Sequence, residues 1–389
     1  MKRPRMTGWE WRALTVLIAF GASNNAIGST WFVEKDGSGD FTIIQEAVDA
    51  AAAGDTIRIG PGRFSEFEEV DAPGWTEPAA VWINEDGLVL IGSGSGETRI
   101  GPESYYGPVG VVPKVICCID EFRCILQDLT IENCRDGIYW GAGGLELHNC
   151  EIINCEFGLF AFANGGIEIS NSTFNSERGA SYSIVTYSPT NNVSISDCRF
   201  SGSGLGASFS GSTGVVLSDN VFECAGANIM FYGTLGRVEH CTTDEDVAQG
   251  IVVGNNSEVE LVDCEFHGWY TPLTVHSGSL LDATQCLFSG GIDYPTIYIY
   301  STSQVTINSC DILNGGNYSV KLAYFLDQFI EHDMTGNYWG TTDPDSIAAM
   351  IWDSNDDPEI HSTVLFEPFA GEPVPTEETS FGSIKAMFR

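Results

Sequence analysis

The side chains best suited to meeting a ligand in this chain are aromatic, and their spacing places them in columns. Short strands follow a series of turns. Aligning those strands on Ile138, Leu159, Ile184, Ala207, Ile229, Ile251, Leu273, Ile297 and Val320 turns these apolar residues inward. Alternation along a strand then sends two flanking columns outward. The first column holds Tyr139, Phe160 and Tyr298, and the second holds Phe162, Tyr187, Tyr232, His276 and Tyr300. Seven of the eighteen outward positions are Phe or Tyr, where an aromatic content of 11% supplies about two, and none is Asp or Glu. An exposed aromatic stripe suits sugar rings, each with an apolar face and a polar rim. Acid–base cleavage of a glycosidic bond takes two carboxylates about 5 to 10 Å apart, which these columns lack. If a loop or the tail covers the stripe, the same residues form a secondary core.

Carboxylates lie instead in the turns: Asp244 and Asp246 before Gly250, with Asp136, Glu156, Glu177 and Asp293 in comparable places. Such oxygen clusters can hold Ca²⁺, so calcium is the one cofactor raised, with Asp244 and Asp246 as candidate ligands. On a chain with 53 acidic residues, solvated turn charge is the plainer account. The six histidines show no metal-ligand spacing, so zinc and copper are not indicated. Among the twelve cysteines, Cys134, Cys150, Cys198, Cys241, Cys264, Cys286 and Cys310 share one repeated position. Stacked neighbours there stand about 4.8 Å apart, beyond the usual Cβ separation of a disulfide, which favours buried thiols. Cys117, Cys118, Cys124, Cys155 and Cys224 fall outside that ladder and are the ones expected to pair.

The elements that position these groups come from an internal repeat. The phrase apolar–any–apolar–any–Asn/Asp, then usually Cys, appears as Leu129-Thr-Ile-Glu-Asn-Cys134, Leu145-Glu-Leu-His-Asn-Cys150, Val193-Ser-Ile-Ser-Asp-Cys198, Val259-Glu-Leu-Val-Asp-Cys264 and Val305-Thr-Ile-Asn-Ser-Cys310. Eight steps separate positions 134 and 310, a mean of 22 residues. That period, with alternating apolar residues and no helical stripe, excludes helical repeats, and the leucine-rich pattern is absent. Three short strands and three turns per repeat stack into a coil whose like residues form ladders. Asn133, Asn149, Asn171, Asp197, Asp219 and Asp263 form one, since Asn and Asp tolerate the left-handed backbone of a tight turn.

At its start the chain reads Val33-Glu-Lys-Asp-Gly-Ser-Gly-Asp-Phe-Thr-Ile-Ile-Gln-Glu-Ala-Val, then Gly54-Asp-Thr-Ile-Arg-Ile59. Near its end stands Gly336-Asn-Tyr-Trp-Gly-Thr341. With the repeat, these segments resemble the right-handed parallel β-helix proteins of the pectin-lyase-like superfamily, and the opening is similar to that of pectin methylesterases. The resemblance implies an all-β, right-handed parallel β-helix solenoid of about ten coils with an N-terminal capping helix. For that helix, Thr42-x-x-Gln45 forms a capping box, Ile44, Ala47, Val48 and Ala51 make the apolar face, and Gly54 ends it. The superfamily's methylesterase, polygalacturonase and pectate lyase motifs have no counterpart here, Leu235-Gly-Arg-Val-Glu239 being the nearest approach to one. No catalytic residue can be carried over.

Lys2, Arg3 and Arg5 precede an apolar run from Ala13 to Ala22, and Ala26-Ile27-Gly28 supplies small residues at a cleavage point, so 1–28 is expected to be a secretory signal peptide. The β-helix domain is expected over 29–369, and 370–389 as a linker and short tail ending in Arg389, a candidate sorting or attachment signal. A formal charge of -36 disfavours nucleic acid and anionic membrane surfaces. The expectation is a secreted or cell-surface monomer, with no membrane span in the mature chain, binding a polysaccharide or cell-surface glycan along the aromatic sheet. A polysaccharide lyase or glycoside hydrolase with unrecognised catalytic residues, and a structural or adhesive surface protein, stand as alternatives.

Overall fold

The computed structural model describes residues 28–374, except 73, 74, 109, 163, 164, 179, 180, 188, 189, 301 and 324–328. The expected signal peptide, apart from residue 28, and the expected tail beyond residue 374 lie outside the described residues. The chain winds through three sheets of fourteen, eleven and thirteen strands, entering each in turn, in about twelve coils. About ten were expected. The difference lies at the ends, where the strands Thr30–Val33, Thr56–Ile59 and Thr363–Leu365 stack on the solenoid without the repeat phrase. Every strand pairing described is parallel except the hairpin Glu68–Ala72 with Trp75–Trp82.

A parallel stack sets like residues over like. Phe174, Phe200 and Phe222 stack with ring centroids 5.2 and 4.5 Å apart, Phe209 lies 5.5 Å from Phe231, and Phe266 lies 5.8 Å from Phe288. Their offset stacking adds to the area that each ring buries. Between them the coil is filled with Ile, Leu and Val that are fully buried.

The corner after the fourteen-stranded sheet carries the left-handed column. Asp128, Asn149, Asn171, Asp197, Asp219, His240, Asp263, Gln285 and Ser309 all have φ between 50° and 57°. This corrects the first repeat. Asp128, not Asn133, stands below Asn149, whose amide donates to its carboxylate. Asn133 follows the strand Thr130–Glu132 of the eleven-stranded sheet and sits at the next corner, where Asn154 donates to it at 2.8 Å. The phrase Leu129 to Cys134 imitates the repeat one corner too late.

One residue further on, the ladder satisfies backbone donors that the turn would otherwise bury unpaired. The amide of Cys198 donates to Asn220 Oδ1 at 3.0 Å, that of Cys286 to Cys310 Sγ at 3.3 Å, and that of Cys310 to Asn337 Oδ1 at 2.8 Å. The thiols donate back to their own strands, Cys264 to the Val262 carbonyl at 3.2 Å and Cys286 to that of Thr284 at 3.2 Å. Cys fits here because Sγ both accepts and donates within a small apolar volume. All twelve cysteines are buried and free, so the pairing expected for Cys117, Cys118, Cys124, Cys155 and Cys224 is not found. Cys117 and Cys118 are neighbours on the strand Lys114–Cys118, and alternation turns them to opposite faces of the sheet.

The helix α1 (Ile44–Ala50) buries Ile44, Ala47 and Val48 against the first coil. The expected capping box is absent: Ile43 is the N-cap and no side chain caps it. Gln45 instead accepts from the Trp82 amide at 2.7 Å and donates to Asp49 at 2.8 Å, which ties the helix to the sheet rather than to its own start. The helix stops at Ala51, and Gly54, at φ 84°, serves the following turn. A second helix, α2 (Pro344–Ala349), lies at the far end. Among the described residues, no helix is long and apolar enough to cross a membrane.

Two outcomes follow. In the native protein a thiol reagent should titrate none of the twelve cysteines within minutes and all of them after denaturation, because burial pushes thiols such as Cys117, Cys198 and Cys224 up to about 12. Phe222→Ala should cost about 3–5 kcal/mol in a denaturant melt, since a ring within a stack leaves a void that its neighbours cannot fill.

Candidate functional site

The outer face of the thirteen-stranded sheet is where outward side chains can meet a ligand. Register there runs Ile138, Leu159, Ile184, Ala207, Ile229, Ile251, Leu273, Ile297, Val320 along the inward column. The outward neighbours are therefore Tyr139, Phe160, Val185, Ser208, Met230, Val252, Thr274 and Tyr298 in order, with Lys321 following.

The structure divides the stripe into two ring clusters. Near the first coils, Tyr139 stacks on Phe160 at 5.8 Å, and Phe162 lies 4.9 Å from Phe160 and 6.2 Å from Tyr187. Phe162 and Tyr187 are 40% and 47% exposed and present the open part of this patch. Near the last coils, His276 stacks on Tyr300 at 5.3 Å, Tyr300 lies 5.0 Å from Tyr298, and Tyr232 lies 6.3 Å from His276. The His276 ring rests against the backbone of Gly254, where an added Cβ would come within 2.3 Å of it. Burial depresses the His276 pKa and favours the neutral ring.

Between the clusters the stripe is covered. Val185, Ser208, Met230, Val252 and Thr274 are buried rather than open. Met230, Val252 and Ala227 form a small outer core under Tyr182, Leu205 and Tyr232. The face is thus two aromatic patches joined by an apolar floor, and not one continuous exposed stripe.

A third outward column was not foreseen. Lys114, Asp136, Phe157, Tyr182 and Leu205 are partners across successive strands. Phe157 stacks on Tyr182 at 5.8 Å and meets Phe160 at 5.2 Å, so it lies on the outer side with the aromatic patch. Strict alternation from Ile138 puts Asp136 inside, but the chain bends at Gly137 and Gly158. A Cβ on Gly137 would sit 3.1 Å from Cys155 Sγ, and one on Gly158 3.0 Å from the Phe174 ring, so both positions face the core. That bend returns Asp136 and Phe157 to the outer face. Asp136 also belongs to the strand Asp136–Trp140 rather than to a turn.

Asp136 and Lys114 are only 4% and 3% exposed. Lys114 donates to the Val112 carbonyl at 2.8 Å and lies 5.0 Å above the Tyr139 ring. Burial pushes the Asp136 carboxyl up to about 7, the nearby Glu156 and Glu77 adding to the rise and Lys114 and Arg135 opposing it. Burial lowers Lys114 in turn. Glu156 sits beside this pair, 3.7 Å from Arg135 Nε and 3.5 Å from the Tyr105 hydroxyl, whose ring carries the Arg178 guanidinium 3.4 Å above it. Residues 101–108 bring Tyr105 to this edge of the sheet, where Tyr106 bridges to Cys134.

Asp244 is half-buried and accepts from the Glu245 amide at 2.7 Å, while Asp246 is exposed. Among the described residues, no three His, Cys, Asp or Glu gather as metal ligands.

A three-sheet parallel solenoid with a ring-lined outer face defines the class. Residues 115–265 and 227–337, together more than half of the chain, match the family described as "Right handed beta helix region". The chain belongs to that family and has the right-handed parallel β-helix fold of the pectin-lyase-like superfamily. Among solved structures it is similar to the A-module of the Azotobacter vinelandii mannuronan C-5 epimerase AlgE6, with a TM-score of 0.50, 16% identity, and 85% of this chain and 94% of that one covered. It is also similar to the catalytic unit of a GH87 α-1,3-glucanase from Streptomyces thermodiastaticus, with a TM-score of 0.52, 11% identity, and 92% and 71% covered. No curated protein matches the sequence.

The raised Asp136 pKa has a stability consequence with a definite sign. Between about pH 4 and 7 the folded state holds a proton that the unfolded state releases, so this group's contribution is lost as pH rises through 7. Asp136→Asn should therefore raise stability at pH 8, by an amount on the order of 4 kcal/mol, and change it little at pH 4. Paired denaturant melts at the two pH values check this.

Proposed function

We propose that this is an exported protein that binds a polysaccharide or cell-surface glycan along the outer face of its thirteen-stranded sheet. The observation that carries the reading is the pair of ring clusters held in register on one rigid face, with Phe162 and Tyr187 open to solvent. Stacked strands lie about 4.8 Å apart, close to the length of one sugar residue, so successive rings can meet successive units of an extended chain. The tyrosine hydroxyls and the His276 ring add polar contacts at the rim of each ring. Polymers are also what the two enzymes of similar fold are named for, and the reading extends only that ligand class to this chain. Export is supported by the basic, apolar and small-residue succession from Lys2 to Gly28.

Retention of the mature protein on a panel of immobilised glycans, with and without Ca²⁺, tests the reading. Phe162→Ala/Tyr187→Ala should weaken binding to the retained glycan about tenfold or more, and so should Tyr298→Ala/Tyr300→Ala, without loss of the folded circular dichroism spectrum. Retention unchanged in both variants would remove the aromatic face from the binding site.

A further inference from the structure

The corner between the eleven- and thirteen-stranded sheets carries a ring pair that the glycan reading does not use. Strands Glu265–Gly268 and Leu287–Gly290 pair in register, with Gly268 against Gly290. Their turns stay together on leaving the sheet: the Gly291 amide donates to the Gly268 carbonyl at 2.8 Å, and the Ile292 amide to that of Trp269 at 3.0 Å. Gly268 to Leu273 is five steps and Gly290 to its partner Ile297 is seven, so the second turn holds two extra residues. Gly291, at φ 79°, folds that excess back on itself, and a Cβ there would meet the Tyr294 carbonyl at 2.5 Å. The turn thereby lays Tyr294 against Tyr270. Their ring centroids are 3.8 Å apart at 38°, and the two hydroxyls share a hydrogen bond. The tightest phenylalanine stack of the core, at 4.5 Å, is wider. Trp269 meets Tyr270 edge-on at 6.1 Å. Tyr294 and Trp269 are 43% and 49% exposed, so small solutes reach the pair.

We propose that Tyr270 and Tyr294 form an oxidative modification site, at which a dityrosine bond staples one coil to the next, with hydrogen peroxide acting through a peroxidase as the oxidant. Rings that touch and share a hydrogen bond between their hydroxyls hold the carbons beside those hydroxyls, the Cε atoms, close together. Bond formation then needs a tilt of the rings and no movement of the backbone. In the step, each phenol loses one electron and one proton and becomes a phenoxyl radical. A Cε of one ring bonds to a Cε of the other. The hydrogen on each bonded carbon moves as a proton to its own phenol oxygen, which restores both aromatic rings and both hydroxyls. One hydrogen peroxide takes up the two electrons and two protons and leaves as two waters. Coupling within the pair outruns coupling between molecules, because the partner ring is already in contact. The bond does what the thiols do not: all twelve cysteines are buried and free, so no disulfide links the coils. It closes a loop between residues 270 and 294 in the unfolded chain and so reduces the entropy gained on unfolding.

The test treats the purified chain, kept dilute, with a peroxidase and limiting hydrogen peroxide. Dityrosine fluorescence, intact mass and migration under denaturing conditions are measured. The expected product is a monomer lighter by two hydrogens. Cleavage after acidic residues cuts at Asp282 and Asp293, between the two rings, and should release their peptides still joined. Tyr270→Phe and Tyr294→Phe keep the ring packing and should each lower the yield about tenfold or more, while Tyr318→Phe leaves it unchanged. At the urea midpoint of the unlinked chain, the linked chain should show an unfolded fraction lower by about tenfold or more. The peptide map of the wild-type chain decides the site even if a variant fails to fold. Links that join other tyrosines, links only between molecules, or no dityrosine at all would overturn the site. A link between Tyr270 and Tyr294 that leaves the urea midpoint unmoved would overturn its role as a staple.

Discussion

Rung-to-rung pairing at about 4.8 Å is the constraint on which everything else in this protein depends. A parallel strand can pair with the next coil only if the chain leaves one sheet and enters another at the same point on every turn. The corner column from Asp128 to Ser309 does this. Each residue there adopts a left-handed backbone, and at Cys150, Cys198, Cys241, Cys286 and Cys310 the next residue's amide finds an acceptor on the rung above. A single misplaced corner would move a whole coil's inward set to the outer face. Asn, Asp, Ser309, Gln285 and even His240 fill these rungs because the requirement is local geometry and not a particular side chain.

The same constraint builds the outer face. Stacked strands turn single residues into columns, so a ring placed once per coil becomes a surface. The rings at Tyr139, Phe160, Phe162 and Tyr187 lie within about stacking distance of one another because their strands do. Rigidity follows from the filled interior, where stacked phenylalanines lock neighbouring coils together. A face held this way gives an extended ligand little conformational cost on the protein side.

The free thiols illustrate how packing overrides composition. Twelve cysteines suggest disulfides by number alone, yet each thiol is buried and free. At the corner they act as small polar hydrophobes, donating to a carbonyl two residues back and accepting an amide from the rung below. Elsewhere in the stack a strand's alternation separates neighbours such as Cys117 and Cys118.

Much of this was legible in residue order alone. A 22-residue period with alternating apolar positions determines three short strands per coil, and period-two alternation determined the inward column from Ile138 to Val320, because both depend only on local backbone geometry. Three features were decided by tertiary structure. The phrase ending at Cys134 matches the repeat in type but stands at a different corner, which only coil pairing reveals. The middle of the stripe is covered by Tyr182, Leu205 and Tyr232, neighbours that one strand cannot disclose. Asp136 reaches the outer face because Gly137 and Gly158 turn toward the core and break strict alternation at the bend. Local order reports which way a side chain points from a regular strand; burial and electrostatic environment depend on the coils above and below it.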